Sequence, residues 1–186
     1  MLSPAVTLPP FPEDRVLRVE IVLDAPVEEV FALWTTEEGV RSFFAPGCRV
    51  EPRVDGAYEI HFDPAASPGS RGTEGSRVLA FEPPRRLAFS WNAPPEQPSV
   101  RQQRTVVTID LAPEDERRTR LRFTHSGWGE GPDWDRAYAY FDRAWAAIVL
   151  PYLIHRIARG PIDWSELPTV TAVAPTLKLS FVPKID

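Results

Sequence analysis

The stretch that decides the fold is V-L-A-F-E-P-P-R-R-L-A-F-S-W, residues 78–91. Proline has no N–H for a sheet ladder and fixes its own φ, so Pro83-Pro84 must separate two strands. After this turn, Leu87, Phe89 and Trp91 alternate with small or polar residues, which is typical of a strand with one apolar face. The stretch therefore predicts a hairpin whose second strand buries large side chains.

Alternating apolar and polar residues predict further strands on both sides of this hairpin. They are Arg15–Asp24, then Cys48–Pro52 and Tyr58–Phe62 around an Asp55-Gly56 turn, and finally Gln102–Leu111 and Thr119–Ser126. The segments 64–70 and 92–99 are rich in proline or in glycine and serine, and they predict loops.

Two short helices are predicted directly after the first strand. Pro26 suits the first position of a helix, and apolar residues follow at helical spacing at Val27, Val30, Phe31 and Trp34. Thr35 followed by Glu38 has the spacing of a capping box, which predicts a second helix that ends near Phe44.

A long C-terminal helix is predicted from Asp133, as the N-cap, to about Ala158. Its apolar stripe consists of Trp134, Tyr138, Phe141, Trp145, Ile148 and Tyr152. Pro151 should kink the helix because it removes one backbone hydrogen bond. Gly160 and Pro161 are stop signals.

Length and composition indicate one domain. The chain has 186 residues, a formal net charge of −5, scattered basic residues and one cysteine. This composition argues against a nucleic-acid partner and predicts a cytoplasmic protein without an internal disulfide. The longest apolar run, 144–154, is too short to span a membrane.

We expect a Pro-rich extended arm over 1–14, a single domain over 15–160 and a C-terminal tail over 161–186. In the tail, Leu177, Leu179 and Phe181 alternate with other residues, which predicts a short extra strand. This strand could add to the chain's own sheet edge or to that of a second copy, giving a homodimer.

Four segments carry a family resemblance in their order along the chain. They are APVEEVFALW (25–34), RSFFAP (41–46), FEPPRRLAFSW (81–91) and THSGW (124–128). Together they resemble the START-like helix-grip superfamily, also called SRPBCC, and within it the C-terminal domain of activators of the heat-shock ATPase chaperone. The resemblance implies an α+β fold, in which a curved antiparallel sheet of six or seven strands wraps around the long helix.

The resemblance also implies a cavity between sheet and helix. The superfamily includes lipid carriers, polyketide cyclases and chaperone activators, so fold alone does not choose between these functions. We expect a small hydrophobic or amphipathic ligand to bind there, with a cyclase or dehydratase-like enzyme and a chaperone-activator-like interaction module as alternatives. The expected ligand-binding residues are Trp34, Phe43, Phe44, Tyr58, Ile60, Phe62, Phe89, Trp91, Phe123, His125, Tyr138, Phe141 and Trp145. Periodicity alone leaves open that these side chains simply fill the core.

No catalytic, metal or cofactor site is predicted. His125 lies in phase with the inner face, where it is a hydrogen-bonded core residue or, less simply, a proton shuttle for an enzyme. Ser126 points to the opposite face and cannot pair with His125 as a nucleophile. His61 lies on an outer face, and Cys48 has no base nearby in the sequence.

Overall fold

The computed structural model describes residues 15–173. The elements follow in the order β1 (Leu17–Leu23), α1 (Val27–Thr35), α2 (Glu37–Phe43), β2 (Gly47–Val50), β3 (Tyr58–His61), β4 (Val78–Glu82), β5 (Arg86–Trp91), α3 (Pro98–Arg101), β6 (Thr105–Pro113), β7 (Thr119–Ser126), α4 (Pro132–Ala144), a π-helical segment (Trp145–Val149) and α5 (Leu150–Arg159). This order confirms the predicted α+β helix-grip fold. The predicted N-terminal arm and the predicted strand at 177–181 lie outside the described residues.

The strands between residues 15 and 173 form two antiparallel sheets. The larger sheet has the order β1-β7-β6-β5-β4, and β2 pairs with β3. Single bridge pairs, Ala57 with Arg77 and His61 with Gly72, connect β3 to the segment before β4. The first strand pairs with the last, with Leu17 opposite His125. The two sheets therefore form an almost continuous surface against which the long helix packs.

The inner face of the large sheet is apolar, as the alternation predicts. Leu121 and Phe123 of β7, Val107 and Ile109 of β6, and Phe89 of β5 are all buried. The predicted turn at Pro83-Pro84 joins β4 to β5. Burial of such side chains stabilises a fold by roughly 1.5–3 kcal/mol each.

The capping residues differ from those predicted. Thr36, not Thr35, caps α2: its hydroxyl accepts a hydrogen bond from the backbone N–H of Gly39 at 3.0 Å. Thr35 is the last residue of α1, and its hydroxyl donates to the carbonyl of Phe31 instead. Gly131, not Asp133, precedes the first residue of α4. Asp133 lies in the first turn, where its carboxylate interacts favourably with the positive end of the helix dipole.

The helical hydrogen-bond pattern changes just before Pro151. The N–H of Leu150 bonds to the carbonyl of Trp145, one residue further back than in an α-helix. Proline both lacks an N–H and crowds the carbonyl four residues before it, which is the physical reason for a break at this place. The buried stripe consequently continues through Val149, Leu150 and Leu153.

Two residues of the predicted stripe therefore lie outside the core. Ile148 is half-exposed and Tyr152 is only partly buried. The sequence prediction assumed 3.6 residues per turn throughout, and the π-helical segment shifts the buried face by one residue.

The chain after α5 runs back along the long helix without forming a helix or strand between residues 160 and 173. The N–H of Ile162 donates to the carbonyl of Ser42, and the indole of Trp164 donates to the carbonyl of Arg41. Further on, the N–H of Val173 donates to the carbonyl of Ala146 at 2.8 Å. Within residues 15–173, no helix is long and apolar enough to cross a membrane.

Candidate functional site

A cleft of about 430 Å³ lies between the long helix and the ends of β3 and β5. Its helix wall consists of Tyr140, Phe141, Ala144, Trp145, Ile148 and Val149. On the sheet side the wall is formed by Trp91 of β5 and, just beyond the ends of β3 and β5, by Phe62, Asn92 and Ala93. Arg101 of α3 also lines the cleft, and loops contribute Asp63, Ser70, Arg71, Gly72, Thr73, Pro94, Pro95 and Glu96. This volume lies within the range of small-molecule sites, about 300–1,000 Å³.

Large apolar side chains at the opening of the cleft are exposed to solvent. Phe62 and Ile148 are each 49% exposed, and Tyr140 is 41% exposed. Deeper in the cleft, Trp91 and Trp145 are nearly fully buried, with ring centroids 5.2 Å apart. The cleft thus has an aromatic floor and an apolar rim.

Two charged residues hold the loop that forms one side of the cleft. The carboxylate of Glu74 accepts hydrogen bonds from the N–H groups of Gly69 and Arg71, at 2.6 and 3.0 Å. Arg101 donates to the carbonyls of Gly69 and Gly72, at 2.7 and 2.9 Å. Partial burial opposes ionisation of Glu74, but these backbone N–H groups hold its pKa below the usual value. The hydrogen bonds to Glu74 and Arg101 therefore hold the loop in one conformation.

The structure separates the predicted ligand-binding residues into three groups. Those that line the cleft are Phe62, Trp91, Phe141 and Trp145. Those in the packed core are Trp34, Phe43, Phe44, Tyr58, Ile60, Phe89, Phe123 and His125. The third group is Tyr138 alone, which is half-buried outside the cleft wall with its ring centroid 5.3 Å from that of Trp128. Trp34, Phe43 and Phe44, which we expected among the ligand-binding residues, thus lie in the packed core and not on the cleft wall.

The packed core fills most of the space between sheet and helix. Tyr58 stacks on Phe89 with ring centroids 4.1 Å apart, and its hydroxyl donates to the carbonyl of Trp34 at 2.8 Å. Burial raises the pKa of Tyr58 well above its usual value, so the phenol stays protonated. Phe123 packs against Trp145 with ring centroids 4.6 Å apart. The cleft described above lies beside this core, at the end of the fold near Phe62.

His125 is fully engaged by neighbouring side chains. Its Nδ1 accepts a hydrogen bond from the indole N–H of Trp145 at 3.0 Å, so the ring proton is on Nε2. Nε2 donates to the hydroxyl of Thr105 at 2.7 Å. Burial lowers the pKa of His125 well below its usual value, which keeps the ring neutral. With both nitrogens occupied, His125 is a core residue that joins β7, β6 and the long helix.

Two other residues considered in the sequence analysis are Cys48 and His61. Burial raises the pKa of the Cys48 thiol to about 11, so it is almost entirely protonated at neutral pH. His61 Nε2 lies 3.8 Å from a carboxylate oxygen of Glu59, on the outer side of β3. No cluster of three or more potential metal ligands occurs within the described part of the chain.

Several residues of the cleft were missed by the sequence reasoning. Asn92 belongs to the segment predicted as a loop, Arg101 lies between that loop and the predicted strand at 102–111, and Tyr140 and Ile148 lie beside the buried stripe of the long helix. The four-residue helix α3, which carries Arg101, was also missed because the prolines at 94, 95 and 98 predict a loop. The one sequence feature that pointed to the cleft was the cluster of aromatic residues at 138–145.

Comparison with known proteins identifies the family. Residues 24–149 match the family described as Activator of Hsp90 ATPase homolog 1-like protein. The chain belongs to this family. The match spans the two helices α1 and α2, every strand from β2 to β7, and most of the long helix, and it begins just after β1, which agrees with the resemblance found in the sequence. No curated protein sequence matches the chain.

Several solved structures share the fold. A protein from Mesorhizobium loti, MLL2253, is 26% identical with a TM-score of 0.58, covering 77% of this chain and 93% of its own. The Aha1 dimer from Colwellia psychrerythraea is 20% identical with a TM-score of 0.58. The match covers 78% of this chain and 97% of the Aha1 chain. DynU16, a protein of the dynemicin biosynthetic locus, is 21% identical with a TM-score of 0.58, covering 80% of this chain and 49% of its own.

Proposed function

We propose that this protein binds a small, flat, largely apolar molecule in the cleft between the long helix and the ends of β3 and β5. The observation that carries the proposal is the 430 Å³ space itself, which remains open beside a core otherwise filled by aromatic rings. Burying apolar ligand surface against Trp91, Phe141 and Trp145 supplies the driving force. The half-exposed rim at Phe62 and Ile148 loses contact with water when a ligand enters.

Binding of the neutral dye N-phenyl-1-naphthylamine tests this proposal, because its fluorescence rises in an apolar site. Ala144→Trp places an indole inside the cleft and should weaken binding at least tenfold. Ala139→Trp makes the same change on an exposed position of α4 outside the cleft, and should leave binding unchanged. Circular dichroism checks that both variants fold. Equal binding by both variants, or none by the wild type, would contradict the proposal.

Family membership supports a second candidate, stimulation of the ATPase of an Hsp90-type chaperone. The ATPase rate of a purified Hsp90, measured with and without added protein, tests it. A concentration-dependent rise in rate supports the interaction, and an unchanged rate at saturating protein argues against it. Ala144→Trp separates the two candidates, since a surface interaction does not require an open cleft.

The similarity to DynU16 supports a third candidate, an enzyme of the cyclase or dehydratase type. Tyr140 is the side chain on the cleft wall suited to donate a proton. Partial burial, together with the carboxylate of Glu96, raises its pKa, so that the phenol remains protonated. Mass spectrometry of a poly-β-keto thioester analogue incubated with wild type and Tyr140→Phe tests this candidate. Identical product patterns with both proteins would dismiss that role.

A homodimer is a further proposal, supported by the dimeric relative from Colwellia psychrerythraea. The predicted contact is the C-terminal strand around Leu177–Phe181, which would add to the sheet of a second copy.

A further inference from the structure

Buried polar atoms without partners give information about the ligand. Within residues 15–173, four buried side-chain atoms have no hydrogen-bond partner: Trp34 Nε1, Trp91 Nε1, Asn92 Oδ1 and Gln97 Oε1. Only Trp91 and Asn92 belong to the cleft wall. Their side chains are 2% and 5% exposed, so bulk water does not solvate these atoms. A buried group left unpaired is costly, which makes it a strong site for a complementary ligand atom.

Several other polar side chains of the cleft wall are already hydrogen-bonded within the protein. Arg101 donates to the carbonyls of Ala93, Gly69 and Gly72. The hydroxyl of Thr73 accepts the N–H of Ile60, and Arg71 Nε donates to the carbonyl of Ala66. Among the buried side-chain atoms of the cleft wall, the unpaired ones are therefore one donor and one acceptor on adjacent residues, and both are neutral.

We propose that the cleft selects neutral aromatic-ring ligands that carry a hydroxyl group, a conclusion that rests on the ligand binding proposed above. The ligand O–H donates to Asn92 Oδ1, and a ligand oxygen accepts the indole N–H of Trp91. The ring itself lies among Trp145, Phe141 and Phe62. A ligand without an O–H leaves Asn92 Oδ1 unpaired and desolvated, so the hydroxyl gives selectivity as well as affinity.

Three naphthalene probes that share one ring system test this selectivity: 2-naphthol, 2-methoxynaphthalene and 2-methylnaphthalene. Each is titrated against bound N-phenyl-1-naphthylamine. The first can donate and accept, the second can only accept, and the third can do neither. We expect 2-naphthol to bind about threefold to tenfold more tightly than 2-methoxynaphthalene in the wild type. Equal affinities of these two probes would overturn the donation to Asn92.

Asn92→Leu removes the acceptor at similar side-chain size. The ratio of dissociation constants, 2-methoxynaphthalene over 2-naphthol, should fall about threefold to tenfold in this variant. Gln102→Leu makes the same kind of change on an exposed side chain outside the cleft and should keep the wild-type ratio. An unchanged ratio in Asn92→Leu refutes the selectivity. Failure of all three probes to displace the dye refutes this ligand class while dye binding itself still supports the cleft.

Discussion

Replacement of His125 by leucine tests the hydrogen-bond arrangement that joins the long helix to the sheet. In His125→Leu, the indole N–H of Trp145 loses its acceptor inside the core, which costs about 1–3 kcal/mol. The hydroxyl of Thr105 also loses its short bond to Nε2, at a cost of about 1 kcal/mol. We therefore expect the free energy of unfolding to fall by about 2–4 kcal/mol, against a typical total of about 5–15 kcal/mol.

Urea unfolding followed by far-ultraviolet circular dichroism measures this loss. His155→Leu is the matched control on α5, which takes no part in the arrangement and should stay within about 0.5 kcal/mol of the wild type. Adding Trp145→Phe removes the orphaned donor, so the double variant should lose less than the sum of the single variants. An unfolding free energy of His125→Leu within about 0.5 kcal/mol of the wild type would refute the reasoning.

The pH dependence of stability gives an independent test of the same residue. Burial lowers the pKa of His125 in the folded state, so only the unfolded state gains a proton there as pH falls below about 6.5. Stability therefore decreases on acidification, by up to about 1.4 kcal/mol per pH unit. Between pH 6.5 and 5, this slope should be present in the wild type and in His155→Leu, and reduced in His125→Leu. Equal slopes in all three proteins would contradict the neutral buried imidazole.

Three further predictions follow from other contacts. Gly72→Ala should destabilise the fold by about 1–3 kcal/mol in urea, because the new Cβ would lie 1.9 Å from the carbonyl oxygen of Ile60, whereas Ser70→Ala in the same loop should be neutral. Cys48 should react with iodoacetamide at pH 8 about 100-fold more slowly than a thiol with the usual pKa, and normal reactivity would contradict its protonation. Removal of 174–186 should convert a dimer to a monomer by light scattering, and an unchanged mass would dismiss a dimer through that segment.

Local sequence patterns predicted the fold because each acts over a few residues. The alternation of Leu87, Phe89 and Trp91 gives β5, and the prolines at 83–84 give its turn. The errors arose where two local signals compete. Thr35 and Thr36 are both acceptable N-caps, and only the extended backbone at Thr36 decides between them. A four-residue helix such as α3 has no periodicity to detect.

The candidate site could be predicted only in part. Alternation shows that Phe89 and Trp91 face inward, but not that Phe89 is packed under Tyr58 while Trp91 borders an open space. That difference depends on position along the sheet and on loops such as 63–73, which are fixed by long-range contacts of Arg101 together with local contacts of Glu74. Asn92 carried no signal at all, because an asparagine after a strand usually marks a turn.

The backbone bond between Val173 and Ala146 gives the end of the described chain an influence on the cleft. The π-helical segment frees the carbonyl of Ala146, and the N–H of Val173 satisfies it. The same segment carries Trp145 and Ile148, which line the cleft. Detaching Val173 would leave that carbonyl unpaired and favour a regular α-helical pitch, which rotates these side chains. For the ligand binding proposed above, ligand affinity and attachment of Val173 would therefore be thermodynamically coupled, and each would change the other by the same factor.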